Sequence, residues 1–143
     1  MKSQEANIYR GIQKNTEEAI KALDTLGDKV HDKGLALQIS RQSLQYSQLH
    51  NEVMKQLVEA DAEPYRGSYF SDMKVKAGLH YHTLLNTSTA HIAELLIRES
   101  QGKMLEMEKV LHHNQNGGVG AWTLAKSFLD MEERNVRCLK DYL

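Results

Sequence analysis

Apolar residues recur at intervals of three and four along almost the whole chain, which is the spacing of one face of an α-helix. Turn-forming residues interrupt this pattern three times, at about residues 27–32, 63–67 and 114–118. The pattern therefore predicts four amphipathic helices separated by loops of modest length. The predicted helices span residues 4–26, 33–61, 68–113 and 119–143.

The third predicted helix is the longest, and it holds five of the seven histidines. Its apolar stripe passes through Tyr81 and Leu85, and Glu99 lies on the midline of that stripe. Gly78 and Gly102 are candidate breaks, so the segment is either one long helix or two helices in line. Its first part is longer than the other helices require. It must overhang, bend at Gly78, or pack on the second helix or a second subunit.

The connections determine the predicted fold class. Short loops place consecutive helices antiparallel, so the sequence predicts an all-α fold with an up-down-up-down four-helix bundle and an extended third helix. We see no strand pattern and no internal repeat in the sequence. The 143 residues are the size of one domain, to which the whole chain is assigned.

Polar residues interrupt the inward faces of all four predicted helices at a similar height. Counted from the turns at ~1.5 Å per residue, they lie within about 6 Å of one level. We find no lysine or arginine on the inner stripes at that height, and Glu18 and His50 lie at the margins of the layer. The predicted buried polar layer consists of Asn15, Gln42, Tyr46, Glu99 and Glu132.

Two carboxylates in this layer require a physical explanation, because a buried charge is costly unless it is paired, protonated or bound to a cation. Without a counter-charge, Glu99 and Glu132 raise each other's pKa. They share a proton and bond to the neighbouring polar side chains, or they bind a metal, or one of them leans out to solvent. The structural explanation is favoured, because interior polar residues fix helix register and pairing in bundles.

With this layer, the chain resembles the ferritin-like four-helix superfamily, and more closely the small ferritin-like proteins found in Firmicutes. Di-iron members carry a glutamate on each of two helices and Glu-x-x-His on each of the other two. The third predicted helix offers Glu99. The fourth offers Glu132, with Asn135 at the position of the histidine. This chain has at most half of the di-iron ligand pattern, so we do not predict the oxygen chemistry of the di-iron members for it.

The first two helices depart further from the ferritin-like pattern. The first offers Asn15 or Glu18, and the second has no Glu-x-x-His, only Tyr46 and His50 as donors. The resemblance implies iron or manganese as the ion of such a site. The ligands implied are Glu99 and Glu132, assisted by Glu18 or His50.

The composition of the chain limits the classes of binding partner and the cellular compartment that we expect. The net charge of −1 gives no electrostatic surface for nucleic acid or an anionic membrane. Apolar runs are too short to span a bilayer, and the first ten residues do not resemble a signal peptide. Cys138 is the only cysteine, so no disulfide framework is expected. These observations predict a cytoplasmic protein with no nucleic-acid or membrane partner.

The leading functional hypothesis is a non-catalytic helical protein that acts by self-association or partner binding, with no catalytic residue and no cofactor assigned. A homodimer or other homo-oligomer is expected, formed through the first part of the third helix. The alternative is a degenerate carboxylate protein that binds iron or manganese through Glu99 and Glu132. The predicted interface residues are Tyr69, Phe70, Met73 and Tyr81.

Overall fold

The computed structural model of the protein describes residues 1–67 and 69–143, and the side chains of these residues except 69–71. Every regular element within these ranges is an α-helix, which confirms the predicted all-α class. The helices are α1 (Ser3–Gly27), α2 (Lys33–Glu59), α3 (Tyr69–His82), α4 (Thr89–His113) and α5 (Val119–Lys140).

Local capping explains where several of these helices begin. The Asp32 side chain accepts a hydrogen bond from the Leu35 backbone N–H (2.8 Å) and caps the start of α2. Gly118 precedes α5 with a φ of 89°, in the left-handed region that glycine adopts without steric cost.

The third predicted helix is two helices, and its predicted break points were wrong. Gly78 lies inside α3 and Gly102 inside α4, whereas the chain leaves the helical conformation at residues 83–88. There the Ser88 N–H donates to Asn86 Oδ1 (3.0 Å), and the Ser88 hydroxyl accepts from the His91 N–H (3.2 Å). Such local bonds compete with continuation of a helix and start a new one.

Because the helix is interrupted, the apolar stripe predicted through Tyr81 and Leu85 is wrong as well. These side chains are 76% and 97% exposed, respectively. A helical phase counted across residues 83–88 loses its meaning there, since those residues do not turn by the helical angle.

The predicted up-down-up-down order was also wrong. α2 runs antiparallel to α1 after the turn at residues 28–32. α4 is antiparallel to α1 too, because Asn7 Nδ2 donates to Asn114 Oδ1 (3.1 Å) while Glu18, further along α1, pairs with Lys103, earlier in α4. α2 and α4 therefore run in the same direction.

The reason is a crossover between α2 and α4. After α2 the chain returns along α1: Gln13 Nε2 donates to the Tyr65 carbonyl (3.0 Å), and Lys21 pairs with Asp72 further on. α3 thus runs parallel to α1 and packs on it, with Leu79 buried, so the predicted overhang does not exist. The return brings the chain back to the C-terminal end of α1 before α4 begins.

α5 completes the packing by lying against both α2 and α4. A Cβ on Gly34, at the start of α2, would lie 2.8 Å from the Tyr142 hydroxyl, and Tyr46, further along α2, bonds to Glu132 earlier in α5. α2 and α5 are therefore antiparallel, and α5 runs in the direction of α1.

The core lies where α1, α2, α4 and α5 meet, and α1 contacts all four other helices. None of the described helices combines the length and the apolar character needed to cross a membrane. Fully buried apolar side chains of this core include Ile8, Ile12, Leu26, Leu35, Leu57, Ile92, Phe128 and Leu139.

Candidate functional site

A buried carboxylate, Glu132 of α5, lies in the middle of this core with no exposed surface. The Tyr46 hydroxyl, from α2, donates a hydrogen bond to Glu132 Oε1. Beside the pair is a cavity of about 10 Å³, enough for about one water molecule. The polar residues that line it are Gln42, Tyr46, Glu99, Ser100, Lys103 and Glu132.

The structure thus places four of the five residues of the predicted polar layer around one cavity. Asn15 is buried but does not line it, and its Nδ2 donates to the Gly11 carbonyl within α1 (2.9 Å). The prediction assumed that the turn after α4 lies at the same end of the molecule as the turn after α1, whereas it lies at the opposite end. Glu99 is near the middle of α4, so its predicted height in the bundle is almost the same from either end. The layer was therefore located despite the wrong direction of the helix.

Burial dominates the electrostatics of Glu132. It raises the pKa of this carboxyl to about 7, although the hydrogen bond from Tyr46, the nearby Ser100 hydroxyl and the charge of Lys103 lower it. Burial also raises the pKa of the Tyr46 phenol well above its usual value, and the charge of Glu132 adds to this. The phenol therefore remains protonated and keeps donating, while Glu132 exchanges a proton near neutral pH.

Glu99 is the second carboxylate of the cavity wall, and it is only half-buried. Burial raises its pKa, the Lys103 charge lowers it, and the charges of Glu18 and Glu106 raise it again. The two glutamates therefore differ in environment: Glu132 is enclosed by the core, whereas Glu99 keeps contact with solvent.

A lysine lies inside the layer, contrary to the prediction that no basic residue reaches it. Lys103 is 8% exposed, lines the cavity, and forms an ion pair with Glu18 of α1. Lys103 follows Glu99 by four residues and so lies on the same helix face, and this spacing was the signal in the sequence that could have identified it. Ser100, which also lines the cavity, was missed because serine is common on any face.

The two predicted assisting ligands have other partners. Glu18 is held by Lys103, with Lys14 Nζ 4.0 Å from its other carboxylate oxygen. His50 Nε2 lies 3.0 Å from Glu17 Oε1 and does not line the cavity. Within residues 1–67 and 69–143, histidine, cysteine, aspartate and glutamate form no group of three or more that could hold a metal ion.

Some buried polar atoms of this region have no hydrogen-bond partner in the described part of the chain. Glu132 Oε2 is one of them, and the Asn135 side-chain nitrogen, one helical turn further on, is another. An unbonded buried oxygen costs about 1–3 kcal/mol, and more when it is charged. Glu132 therefore offers a free acceptor atom in the core, next to a cavity of about 10 Å³.

A second feature lies on the surface, at the end of α3 and in the loop to α4. Tyr81, Leu84 and Leu85 are 76%, 75% and 97% exposed, and Met73 is about half exposed. The side chains of Tyr69 and Phe70, the other two predicted interface residues, lie outside the described residues. We call Tyr81, Leu84 and Leu85 the apolar patch.

No protein-family model, curated protein or solved structure matches this chain. What the protein does must therefore be inferred from the geometry of the buried cavity and of the apolar patch.

Proposed function

We propose that this protein is a ferritin-like helical bundle that acts without catalysis, by associating with a second copy of itself through the apolar patch. The observation that carries the proposal is the exposure of three large apolar side chains, Tyr81, Leu84 and Leu85, within five consecutive positions. Clusters of exposed apolar residues mark interaction sites more often than single exposed residues do.

The connectivity supports the ferritin-like part of the proposal. The packing pairs α1–α2, α2–α5, α5–α4 and α4–α1 close a ring of four long helices. A single long crossover joins the second of these helices to the third. Ferritin-like bundles have one such crossover, whereas simple up-down bundles have none.

The energetics favour an association of moderate strength. Burying a large apolar side chain contributes roughly 1.5–3 kcal/mol, and a two-fold contact buries the patch of both copies. Association itself costs at least about 4 kcal/mol in lost freedom of motion. The loop residues 83–88 carry no charge, so two identical patches meet without like-charge repulsion.

The proposal is tested by measuring molar mass with light scattering for the wild type and for Leu84→Ser combined with Leu85→Ser. We expect the wild type to be dimeric and the double variant monomeric, with unchanged helical circular dichroism. The matched control is Leu37→Ser with Leu44→Ser, two exposed leucines of α2 that are remote from the patch in sequence. A monomeric wild type, or a dimer that survives the patch substitutions, would refute the proposal.

A second candidate function is cation binding at the buried cavity, favoured by the unbonded Oε2 of Glu132. Glu99 and Glu132 would be its ligands, and hard ions such as Mn²⁺ or Fe²⁺ match their oxygen donors. Elemental analysis of the purified protein, before and after loading with iron or manganese, tests it against Glu99→Ala with Glu132→Ala. Stoichiometric metal that the double variant loses would support the site. If the wild type binds no metal, the cation-binding function is refuted and the cavity has only a structural role.

A further inference from the structure

The carboxylates of the cavity wall already have a cation beside them, and it belongs to the chain. Lys103 projects from α4, is almost fully buried, and pairs with Glu18 of α1. Its side chain also lines the cavity that Glu99 and Glu132 line. The ion pair therefore stands at the edge of the buried cavity, between α1 and α4.

One ammonium group serves three carboxylates from three helices. It pairs directly with Glu18 of α1, and its side chain lines the same small cavity as Glu99 of α4 and Glu132 of α5. A bound metal ion would act on these groups in the same direction, by favouring their charged forms. Unlike a metal ion, the lysine ammonium is covalently attached to α4, and the length of its side chain limits where it can lie.

We infer that the Lys103 ammonium is the resident cation of this cavity, and that its removal converts the same oxygen atoms into a binding site for a hard divalent cation such as Mn²⁺. The inference is an alternative to the cation-binding candidate function at the same cavity: the wild type holds its own ammonium group, and the site becomes open to a metal ion only when that group is removed.

One observation points to a ligand at this place, and a second explains why the wild type leaves no room for a metal ion. Glu132 Oε2 is buried without a hydrogen-bond partner among the described residues, so one acceptor is free. The cavity of about 10 Å³ has no room for an ion with its water shell, but alanine at position 103 would remove the ammonium and the methylene groups that carry it. The surrounding carboxylate, hydroxyl and amide oxygens are donors that Mg²⁺, Mn²⁺ and Ca²⁺ prefer.

The test compares Mn²⁺ binding by the wild type, Lys103→Ala, and Lys103→Ala combined with Glu132→Gln. Bound Mn²⁺ is counted by electron paramagnetic resonance during titration, and the midpoint of thermal unfolding is measured with and without MnCl2. The matched control is Lys14→Ala, because Lys14 is the other lysine beside Glu18 but is only half-buried. Molar mass is recorded for each protein, so that changes in self-association are scored separately.

We expect about one Mn²⁺ per chain in Lys103→Ala, bound roughly tenfold or more tightly than by the wild type, and a midpoint that rises with Mn²⁺ concentration. The added Glu132→Gln substitution should abolish the binding, and Lys14→Ala should behave as the wild type does. Lys103→Ala without Mn²⁺ binding would overturn the inference. A wild type that binds stoichiometric Mn²⁺ would also overturn it, while supporting the cation-binding function itself.

Lys103→Ser supplies the result if Lys103→Ala does not fold, because serine also removes the ammonium and most of its methylene groups, while its hydroxyl can still donate a hydrogen bond to a neighbouring carboxylate. It should bind Mn²⁺ as Lys103→Ala does. Failure of both variants to bind Mn²⁺ would overturn the inference.

Discussion

Replacing Glu132 with glutamine should remove a loss of stability that the wild type suffers as pH rises toward neutrality. Glutamine has nearly the shape of glutamate, and its carbonyl oxygen can still accept the hydrogen bond from Tyr46. It cannot ionise, so the substitution separates the cost of a buried charge from the packing of the side chain. The side chain has no exposed surface, so solvent screens this cost little.

The magnitude follows from the change in pKa. Folding raises the pKa of Glu132 from its ordinary value of 4.5 to about 7. The folded state therefore holds this proton more tightly, and its contribution is fully present below about pH 4.5 and is lost as pH rises through about 7. The difference, 7 − 4.5, is worth roughly 3 kcal/mol at about 1.4 kcal/mol per pH unit.

The assay is urea unfolding followed by circular dichroism at pH 5.0, 6.0, 7.0 and 8.0. The free energy of unfolding should fall across this range in the wild type and stay higher in Glu132→Gln, which should be the more stable protein at pH 8 by up to about 3 kcal/mol. The control is Glu133→Gln, which removes a charge from the neighbouring exposed position. If Glu132→Gln and Glu133→Gln have the same pH dependence, burial of the Glu132 charge is not the cause.

Two further predictions concern the partner of Glu132 and the crossover. Tyr46→Phe removes a hydrogen bond that lowers the pKa of Glu132. The pH at which the folded protein loses stability should therefore be higher in this variant than in the wild type, and the same urea series measures it. An unmoved transition would show that the bond has little influence on the ionisation. Leu79→Ala should cost roughly 2–5 kcal/mol and speed amide hydrogen exchange in α3 more than in α5, because Leu79 is a buried anchor of the crossover. Equal acceleration in both helices would mean that α3 does not open separately.

The sequence predicted the positions of the helices well, because an amphipathic period of 3.6 is a local property. The predicted segments 4–26 and 33–61 agree with α1 and α2 within a few residues. Most of the buried polar layer could also be predicted, since each member lies on the inward face of its own helix. The break at residues 83–88 was missed because side-chain bonds of Asn86 and Ser88, and not a glycine or proline, end the helical pattern there.

The tertiary structure alone decided the directions of the helices and the occupants of the cavity. Helical periodicity specifies which face is buried but not which helix covers it, so nothing in the pattern required residues 60–82 to return along α1. Lys103 is a second case in which the sequence pattern does not specify the environment of a side chain. Its long side chain can lie in the core or in solvent, and the ion pair with Glu18 of α1 holds it in the core. The sequence therefore determined the helices and a polar layer that contains one buried carboxylate, Glu132, and one half-buried carboxylate, Glu99. Which ionic groups meet there was decided only by the packing, because charge pairing depends on distances between helices that are remote in sequence.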